Sequence, residues 1–459
     1  MAEKFDAIII GTGQAGPALA ARMTREGLKT AIIERQLFGG TCVNVGCIPT
    51  KALVASARAV HMARRGADFG VKIDGPVSVD MKAVQARMAA IVAQSNTGVT
   101  NWMKNMDNLT VYEGHGRLES ANTVRVNGEL LTADRIVLNV GGRASVPDIP
   151  GAADVNYLTN SGMINLDELP EHLVIIGGSY IGLEFAQIYR RFGSRVTVIE
   201  MANRLIGRED EDISTTVQDI LEAEGVEFHL KADCIALAGR GDKIVVTAAC
   251  EPGPEDIVAS HVLMAVGRKP NTDDLGLDKA GVKTDARGYI TVDDALATNV
   301  PGIWCIGDAN GQGAFTHTSY NDHEILAANM FDNDPRRVSD RFVTYGLFID
   351  PPLGRVGMTE AQVRASGRKA LIGKMMMARI GRARERSETQ GFMKVLVDAE
   401  TRKILGAAIL GIGGDEIIHS ITDVMYADAP YTVIQRAVHI HPTVSELIPT
   451  MLGDLQPLE

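Results

Sequence analysis

Residues 6–34 read DAIIIGTGQAGPALAARMTREGLKTAIIE. DAIII is an apolar strand, GTGQAG a glycine turn, PALAARMTREG a helix and KTAIIE a second strand. Each glycine has its own reason to be there. Gly11 permits the tight bend, Gly13 lets the backbone approach a pyrophosphate, and Gly16 lets the helix pack on the strand. The helix N-terminus then turns its free N–H groups and positive dipole end toward the phosphates. Glu34 stands eighteen residues beyond Gly16, at the end of the second strand, where a carboxylate accepts hydrogen bonds from a ribose diol. A lone GxGxxG is a weak signal. One that follows a strand, opens a helix and ends on an acid reads as a dinucleotide-binding βαβ unit.

The same grammar returns at residues 173–200, LVIIGGSYIGLEFAQIYRRFGSRVTVIE. The turn is Gly177, Gly178, Ser179 and Gly182, and Glu200 is again eighteen residues on. Ser179 occupies the place of the middle glycine, which is tolerable only if its side chain turns away from the pyrophosphate. A carboxylate at Glu200 repels a 2′-phosphate, so NAD(H) is expected in preference to NADP(H), although Arg204 and Arg208 just downstream could reverse this. Two such units in one chain predict two dinucleotides bound together.

Bulk properties agree with a globular protein that handles small molecules. The 459 residues are 45% hydrophobic and 22% charged, enough for several domains. A net charge of −11 without long Lys/Arg blocks argues against nucleic acid or an anionic membrane as partner. No signal peptide and no membrane-length apolar run is found, so a cytoplasmic location is expected. The five cysteines are odd in number and, apart from Cys42 and Cys47, scattered, which disfavours a secreted disulfide framework.

Between the two units, 51–66 and 80–105 have the periodicity of amphipathic helices, and 109–140 reads as short strands. VPDIPG at 146–151 and AVGRKPN at 265–271 are plausible domain crossings, and strands are expected over 287–306, ending in PGIWCIGDAN. From about 343 the character changes. KVLVDAETRKILGAAILG is a two-strand hairpin pattern and helices follow from 415 to 436. The fold class is α/β, with two Rossmann-like dinucleotide-binding domains and a C-terminal α+β domain.

The stretch GGTCVNVGCIPTK, residues 39–51, holds Cys42 and Cys47. Zinc needs about four ligands, usually from two spaced pairs, and no second pair follows. A structural staple over so short a loop would stabilise by only about 2 kcal/mol and is often lost in a reducing compartment. A working redox pair is the third reading, and the local residues favour it. Pro49 lacks an N–H and crowds the carbonyl of Val45, so regular helix is not expected to run through the segment. A distorted turn would bring the two sulfurs within bonding distance, which an ideal helix at this spacing does not. A thiol near a helix start with Lys51 close by is expected to be reactive.

With that segment placed just after a first glycine fingerprint, the chain resembles the FAD-containing pyridine nucleotide–disulfide oxidoreductases, the group of lipoamide dehydrogenase, glutathione reductase and mercuric reductase. The resemblance spans essentially the whole chain, through AVGRKPN and PGIWCIGDA to HIHPTVSE at 439–446. It implies FAD on the first unit and NAD(P)H on the second. The implied segments are 1–150 and 271–342 for FAD, 151–270 for NAD(P) and 343–459 for dimerisation. Gly40 and Thr41 would lie near the pyrophosphate and flavin, His115 near the adenine, and Asp308 on the ribityl chain. Gly141 would join the FAD site and Gly267 the NAD(P) site. Cys47 would lie against the flavin as its thiolate partner, Cys42 would face the substrate, and Lys51 would pair with Glu184 beside the flavin.

His441 and Glu446 complete the implied set. A histidine exchanges protons with thiols near neutral pH and a carboxylate can orient it. In disulfide-reducing members this pair comes from the second subunit, which implies a homodimer with shared sites. The expected reaction passes electrons between NAD(P)H, FAD, the Cys42–Cys47 pair and an external disulfide or dithiol, in the manner of lipoamide dehydrogenase, with a lipoyl group among the candidate substrates. The alternative is metal-ion reduction, because CVNVGC and PPLGRVGMTEAQ also resemble mercuric reductase-like and reactive-chlorine-resistance reductases. The ending MLGDLQPLE, without vicinal cysteines, and the absence of a metal-binding domain ahead of the first unit count against true mercuric reductase. A flavin-bound redox sensor without turnover is a third, weaker reading. No metal site is expected. His439 reads as a partly buried strand residue, Cys234, Cys250 and Cys305 as small buried hydrophobes, Pro442 as a helix start and Met375–Met377 as packing.

Overall fold

The computed structural model describes residues 2–250 and 253–458. Both glycine-turn units form as read. The first sheet is five-stranded and parallel, in the order Ile303–Cys305, Arg135–Leu138, Ala7–Ile10, Thr30–Glu34, Leu109–Glu113. Its central strand, Ala7–Ile10, is apolar and buried throughout because both faces are covered. Ile8, Ile10, Ile33, Ile136 and Leu138 pack on one side against Leu118, Val124 and Leu131. Ala7, Ile9, Ile32 and Val137 pack on the other against Leu19 and Met23 of the helix Ala15–Arg25.

The second sheet repeats the plan with four parallel strands, ordered Glu227–His229, Arg195–Ile199, His172–Ile176, His261–Met264. The helix Tyr180–Phe192 follows its glycine turn. An antiparallel meander over Asp233–Ala259 is attached to this half. The third sheet is antiparallel and six-stranded, and Phe392–Asp398 and Ile404–Leu410 form the expected hairpin at its centre. The helix Gly414–Tyr426 follows.

Several local expectations change. Residues 287–302 form isolated bridges, Thr284 with Ile290 and Val292 with Thr298, and regular strand is confined to Ile303–Cys305. Asp-centred turns at Asp285 and Asp293 take the backbone N–H groups that a ladder would have used. His439 lies in a loop, its Nδ1 3.2 Å from the Ala437 carbonyl. Pro442 also lies in a loop, after a cis peptide, and the next helical turn begins at Ser445. Cys305 is fully buried, but Cys234 is exposed at φ 57°, and the side chain of Cys250 lies outside the described residues. Met375 and Met377 are buried while Met376 is exposed.

Charged side chains clamp the C-terminal sheet to the second half. Buried Arg355 holds Glu209 at 2.5 Å and Asp210 at 3.1 Å. The equally buried Lys394 ammonium holds Asp210, Asp212 and Glu360 at 2.9, 2.7 and 2.7 Å. These three carboxylates are the one metal-like cluster among the described residues, and a lysine contacts all of them.

Candidate active site

A cleft of about 3140 Å³ passes over both glycine turns and the cysteine pair. Gly13, Thr41, Asn139, Gly141 and Asp308 line one end, Gly177, Ser179, Glu200 and Gly267 the other, and Cys42, Cys47, Lys51 and Glu184 lie among them.

The two turns are built alike. A Cβ on Gly11 would stand 2.2 Å from the Asn139 carbonyl oxygen, and one on Gly177 2.4 Å from that of Ala265. One on Gly16 would meet the Gly11 carbonyl at 2.4 Å, and one on Gly182 the Gly177 carbonyl at 2.1 Å. At all four positions the obstacle is backbone, so only glycine fits. Each acid braces its own turn. Glu34 accepts from Thr12 N at 3.0 Å and Thr12 Oγ1 at 2.6 Å, and Glu200 accepts from Gly178 N at 2.6 Å and Ala202 N at 2.8 Å. Gly141 and Gly267 both have positive φ, and a Cβ on either would enter open space within the cleft.

The first end fits a flavin dinucleotide. Gly13 and Gly141 leave its floor free of side chains, and the Gly40 Cα has room only because it lacks a Cβ, which would stand 2.9 Å from the Gly13 Cα. Asp308 presents a carboxyl that burial pushes upward in pKa, with Arg268 3.9 Å away. His115 does not line the cleft. Its Nε2 lies 3.3 Å from Asp274, which also holds Arg35 at 3.3 Å beyond the end of the strand that carries Glu34.

Cys42 and Cys47 sit on different helices. Cys42 is in Gly40–Asn44 and Cys47 opens Cys47–Arg64. The chain breaks between them at Val45–Gly46, where Gly46 has φ −130° and ψ −116°. Pro49 falls in the first turn of the second helix, where its missing N–H has no helical partner to lose. Both thiols are free, Cys42 half-buried and Cys47 open to the cleft. The neighbouring Cys42 thiol, more than any other group, pushes Cys47 down to about 6, against burial, with Thr316 and then Lys51 adding to it. Cys47 in turn, with burial, pushes Cys42 well up, against a smaller opposing effect of Thr316. Lys51 Nζ lies 2.6 Å from Glu184 Oε2, and the other carboxylate oxygen accepts from Phe348 N at 3.1 Å.

The family model described as pyridine nucleotide-disulphide oxidoreductase matches residues 5–322, and that for the family's dimerisation domain matches 343–452. The chain belongs to the pyridine nucleotide–disulfide oxidoreductase family. It is 35% identical over 451 residues to the probable pyridine nucleotide-disulfide oxidoreductase RclA of Escherichia coli, covering 96% of this chain and 97% of that one. It is 33% identical to the dihydrolipoyl dehydrogenase of Chlamydia muridarum, covering 97% and 96%. Among solved structures, a Cu(II) complex of the HOCl-induced flavoprotein disulfide reductase RclA from Escherichia coli superposes with a TM-score of 0.89 at 33% identity, covering 98% of this chain and 99% of that one. Membership of this family makes the chain a flavoprotein oxidoreductase that uses FAD and a redox-active disulfide. Its dimerisation domain supports a homodimer. Among the described residues no helix is long and apolar enough to cross a membrane.

The remaining pair of expected residues lies apart from the cleft. His441 Nδ1 is 2.9 Å from Glu446 Oε2, with His441 82% exposed at its side chain, and neither residue lines the cleft. Residues that the sequence reading missed complete the site instead. Asn139 Nδ2 donates to the carbonyls of Gly11 at 3.3 Å and Gly13 at 3.2 Å. It follows the strand Arg135–Leu138, and ligands of parallel sheets bind at such carboxyl ends, so its position carried a signal. Thr316 Oγ1 lies 3.3 Å from Cys47 Sγ, and nothing local in the sequence announced it.

Proposed function

We propose that the chain is an FAD-dependent NAD(P)H:disulfide oxidoreductase in which Cys42 and Cys47 carry electrons to or from an external disulfide or dithiol. The observation that carries this is the single cleft joining both glycine turns to a dithiol with two unlike thiols. FAD, when bound, links the two-electron chemistry of nicotinamide to that of a dithiol. The segment roles proposed are FAD binding by 1–150 and 271–342, NAD(P) binding by 151–270 and dimerisation by 343–459.

In the reductive direction Cys42, deprotonated, attacks one sulfur of the substrate disulfide and releases the other as a thiolate, which takes a proton. Cys47, the easier thiol to ionise, then attacks Cys42 Sγ. The second substrate thiol leaves and the Cys42–Cys47 disulfide forms. The balance is two electrons from the dithiol and two protons to the products. Cys42 needs a base because its neighbour already holds the negative charge. His441, oriented by Glu446, is assigned that role from the partner subunit, since in its own chain it stands outside the cleft. Lys51 and Glu184 brace the cysteine helix against the NAD(P) half. Asp308 and Asn139 serve the FAD end, with Gly40, Thr41 and His115. Glu200, held by two backbone N–H groups, presents a fixed negative charge where a 2′-phosphate would lie, which supports NAD(H) over NADP(H). The His–Glu pair favours a dithiol of the lipoyl kind.

A second reading, reduction of a soft metal ion by the dithiol, is favoured by the similarity to the RclA flavoprotein solved as a Cu(II) complex. A side-by-side assay separates the two: dihydrolipoamide with NAD, a disulfide panel with NAD(P)H, and Cu(II) or Hg(II) with NAD(P)H. Thiol turnover that needs Cys42, Cys47 and His441 supports the first reading. Metal reduction that survives His441→Ala, without thiol turnover, replaces it with the second. Purified protein without bound flavin overturns both.

A further inference from the structure

His441 stands on a loop that has little of its own to hold it. Residues 438–443 belong to no helix or strand, and among the described residues they make no backbone–backbone hydrogen bond. Val438 is fully exposed and Ile440 largely so. Thr443 Oγ1 donates to the Ile440 carbonyl at 2.7 Å and accepts from Glu446 N at 3.3 Å, which closes the loop on itself.

One side chain reaches in from outside. Arg382 Nε and Nη2 both donate to the Pro442 carbonyl, at 3.1 and 2.8 Å, across a separation of 60 residues. Among the described residues these are the only hydrogen bonds that tie 438–443 to any part of the chain beyond 437–446. The base of the arginine is rigid. It rides on the short helix Gly381–Glu385, which is seated through fully buried Ile380 and Ala383 in the core that also takes Val444 and Ile448. Glu385 holds Nη1, the remaining guanidinium nitrogen, at 3.2 Å. A planar guanidinium occupied in this way has one orientation, where an ammonium on its flexible stem would have several.

We propose that Arg382 is a positioning residue for His441: by holding the Pro442 carbonyl it fixes where the imidazole is presented to the dithiol of the second subunit. This rests on the reading of His441 as the base for Cys42. Glu446 occupies Nδ1, so Nε2 is the nitrogen left to take a proton, and among the described residues it has no partner. The carboxylate sets how the ring is turned. It does not set where the backbone of His441 stands, and Arg382 does, because it grips the very next residue. Apolar cover on Val438 and Ile440 from a second subunit is non-directional, whereas two N–H groups on one carbonyl oxygen specify a place. Arg386 lines the same hollow beneath the loop, of about 400 Å³, without a hydrogen bond to it. Placement, not positive charge, is what sets Arg382 apart.

The test uses the flavin-loaded dimer and its two half-reactions. Arg382→Met keeps an unbranched stem and removes the donors, Arg382→Lys returns one donor, and Arg386→Met removes an equal charge from the same hollow. In Arg382→Met, reoxidation of the reduced enzyme by lipoamide should slow about tenfold, while reduction of bound flavin by NADH keeps the parent rate. Arg382→Lys should lie between the two, and Arg386→Met with the parent. Adding Arg382→Met to His441→Ala should slow reoxidation no further. Equal slowing with and without His441 overturns the proposal, as does slowing of both half-reactions alike, since either makes Arg382 a fold contact only. A parent rate in Arg382→Met overturns it as well. If His441→Ala keeps the parent rate, or lipoamide does not react, the reading of His441 as base for a lipoyl-type dithiol fails instead. A crystal structure of Arg382→Met then still judges the anchor, which is refuted if the Pro442 carbonyl and the His441–Glu446 pair stand where they do in the parent.

Discussion

Lys51 Nζ and Glu184 Oε2 lie 2.6 Å apart although 133 residues separate them in the chain. The pair joins the helix that starts at Cys47 to the helix that follows the second glycine turn, so it ties the dithiol to the half built on that turn. Glu184 is almost fully buried and also accepts from Phe348 N, and Lys51 lies over the Phe348 ring at 4.3 Å. Glu184→Gln keeps the acceptor for Phe348 but removes the charge that holds Lys51. Stopped-flow reduction of bound flavin by NADH should slow about tenfold, with flavin content unchanged. Equal rates in the variant would make the pair a packing contact only.

The placement of His441 leads to a prediction about subunits. His317 and His419 line the cleft of the same chain, whereas His441 is exposed outside it. If His441 serves the partner's dithiol, a dimer of one Cys42→Ser chain and one His441→Ala chain contains one complete site and one doubly damaged site. Mixed dimers, purified with two affinity tags, should recover about half the dithiol turnover of the parent although each homodimeric variant is nearly inactive. Mixed dimers as inactive as their parents would place the base in the same chain as Cys42, with His317 the first candidate.

The proposed preference for NAD(H) rests on a charge that cannot swing away. Both Glu200 oxygens are occupied by backbone N–H groups, at 2.6 and 2.8 Å. Glu200→Gln keeps an acceptor for a ribose hydroxyl and drops the repulsion toward a 2′-phosphate. The ratio of kcat/KM for NADH to that for NADPH should fall about tenfold, with most of the change in KM for NADPH. An unchanged ratio would move the discrimination to Arg204 and Arg208, which line the same end of the cleft.

Much of this site was legible because its residues sit in turns and at strand ends whose chemistry is local. The glycines at 11, 16, 177 and 182 are dictated by backbone oxygens within their own units or in the neighbouring strand, and Glu34 and Glu200 by the strand end they occupy. Cys42 and Cys47 declared themselves by spacing and Pro49. Lys51 ranks behind the neighbouring Cys42 thiol in lowering Cys47, because sequence distance to a cation is visible and the mutual approach of two thiols from separate helices is not. Asn139, Thr316 and Arg341 reach the site across the sheet or from a distant loop, and no local pattern encodes such contacts. Cys234 was misplaced because a cysteine in an apolar stretch ordinarily packs inward, whereas here it occupies a left-handed position at an irregular strand start.

Lys394 gives the sharpest test of the clamp between the C-terminal sheet and the second half. Its ammonium is buried and is hydrogen-bonded to Asp212 and Glu360 and paired with Asp210, which hold it in the charged form against burial. Asp210 and Asp212 are lowered in return, by Lys394 with Arg355 and by Lys374 with Lys394, again against burial. Carboxylates with depressed pKa contribute stability above their unfolded value and lose it as pH falls through the folded value. A lysine with raised pKa contributes below its unfolded value and loses it as pH rises through the folded one. The clamp should therefore be flat from about pH 5 to about pH 9 and weaken only outside that window. Lys394→Met removes the buried cation and should cost about 3 kcal/mol at neutral pH, because Arg355, Lys374 and Arg364 still serve Asp210, Asp212 and Glu360 from the edges of the cluster. The deficit relative to the parent should shrink in acid, as the carboxylates that lost their shared buried cation protonate. Lys394→Ala leaves the three oxygens within metal-holding distance of one another, so millimolar Ca²⁺ or Mn²⁺ should raise its Tm while leaving that of the parent unchanged. Thermal unfolding of the two variants across pH, with and without the cation, checks both. An acid-independent deficit, or a variant indifferent to divalent cations, would mean that Lys394 packs the interface without neutralising it.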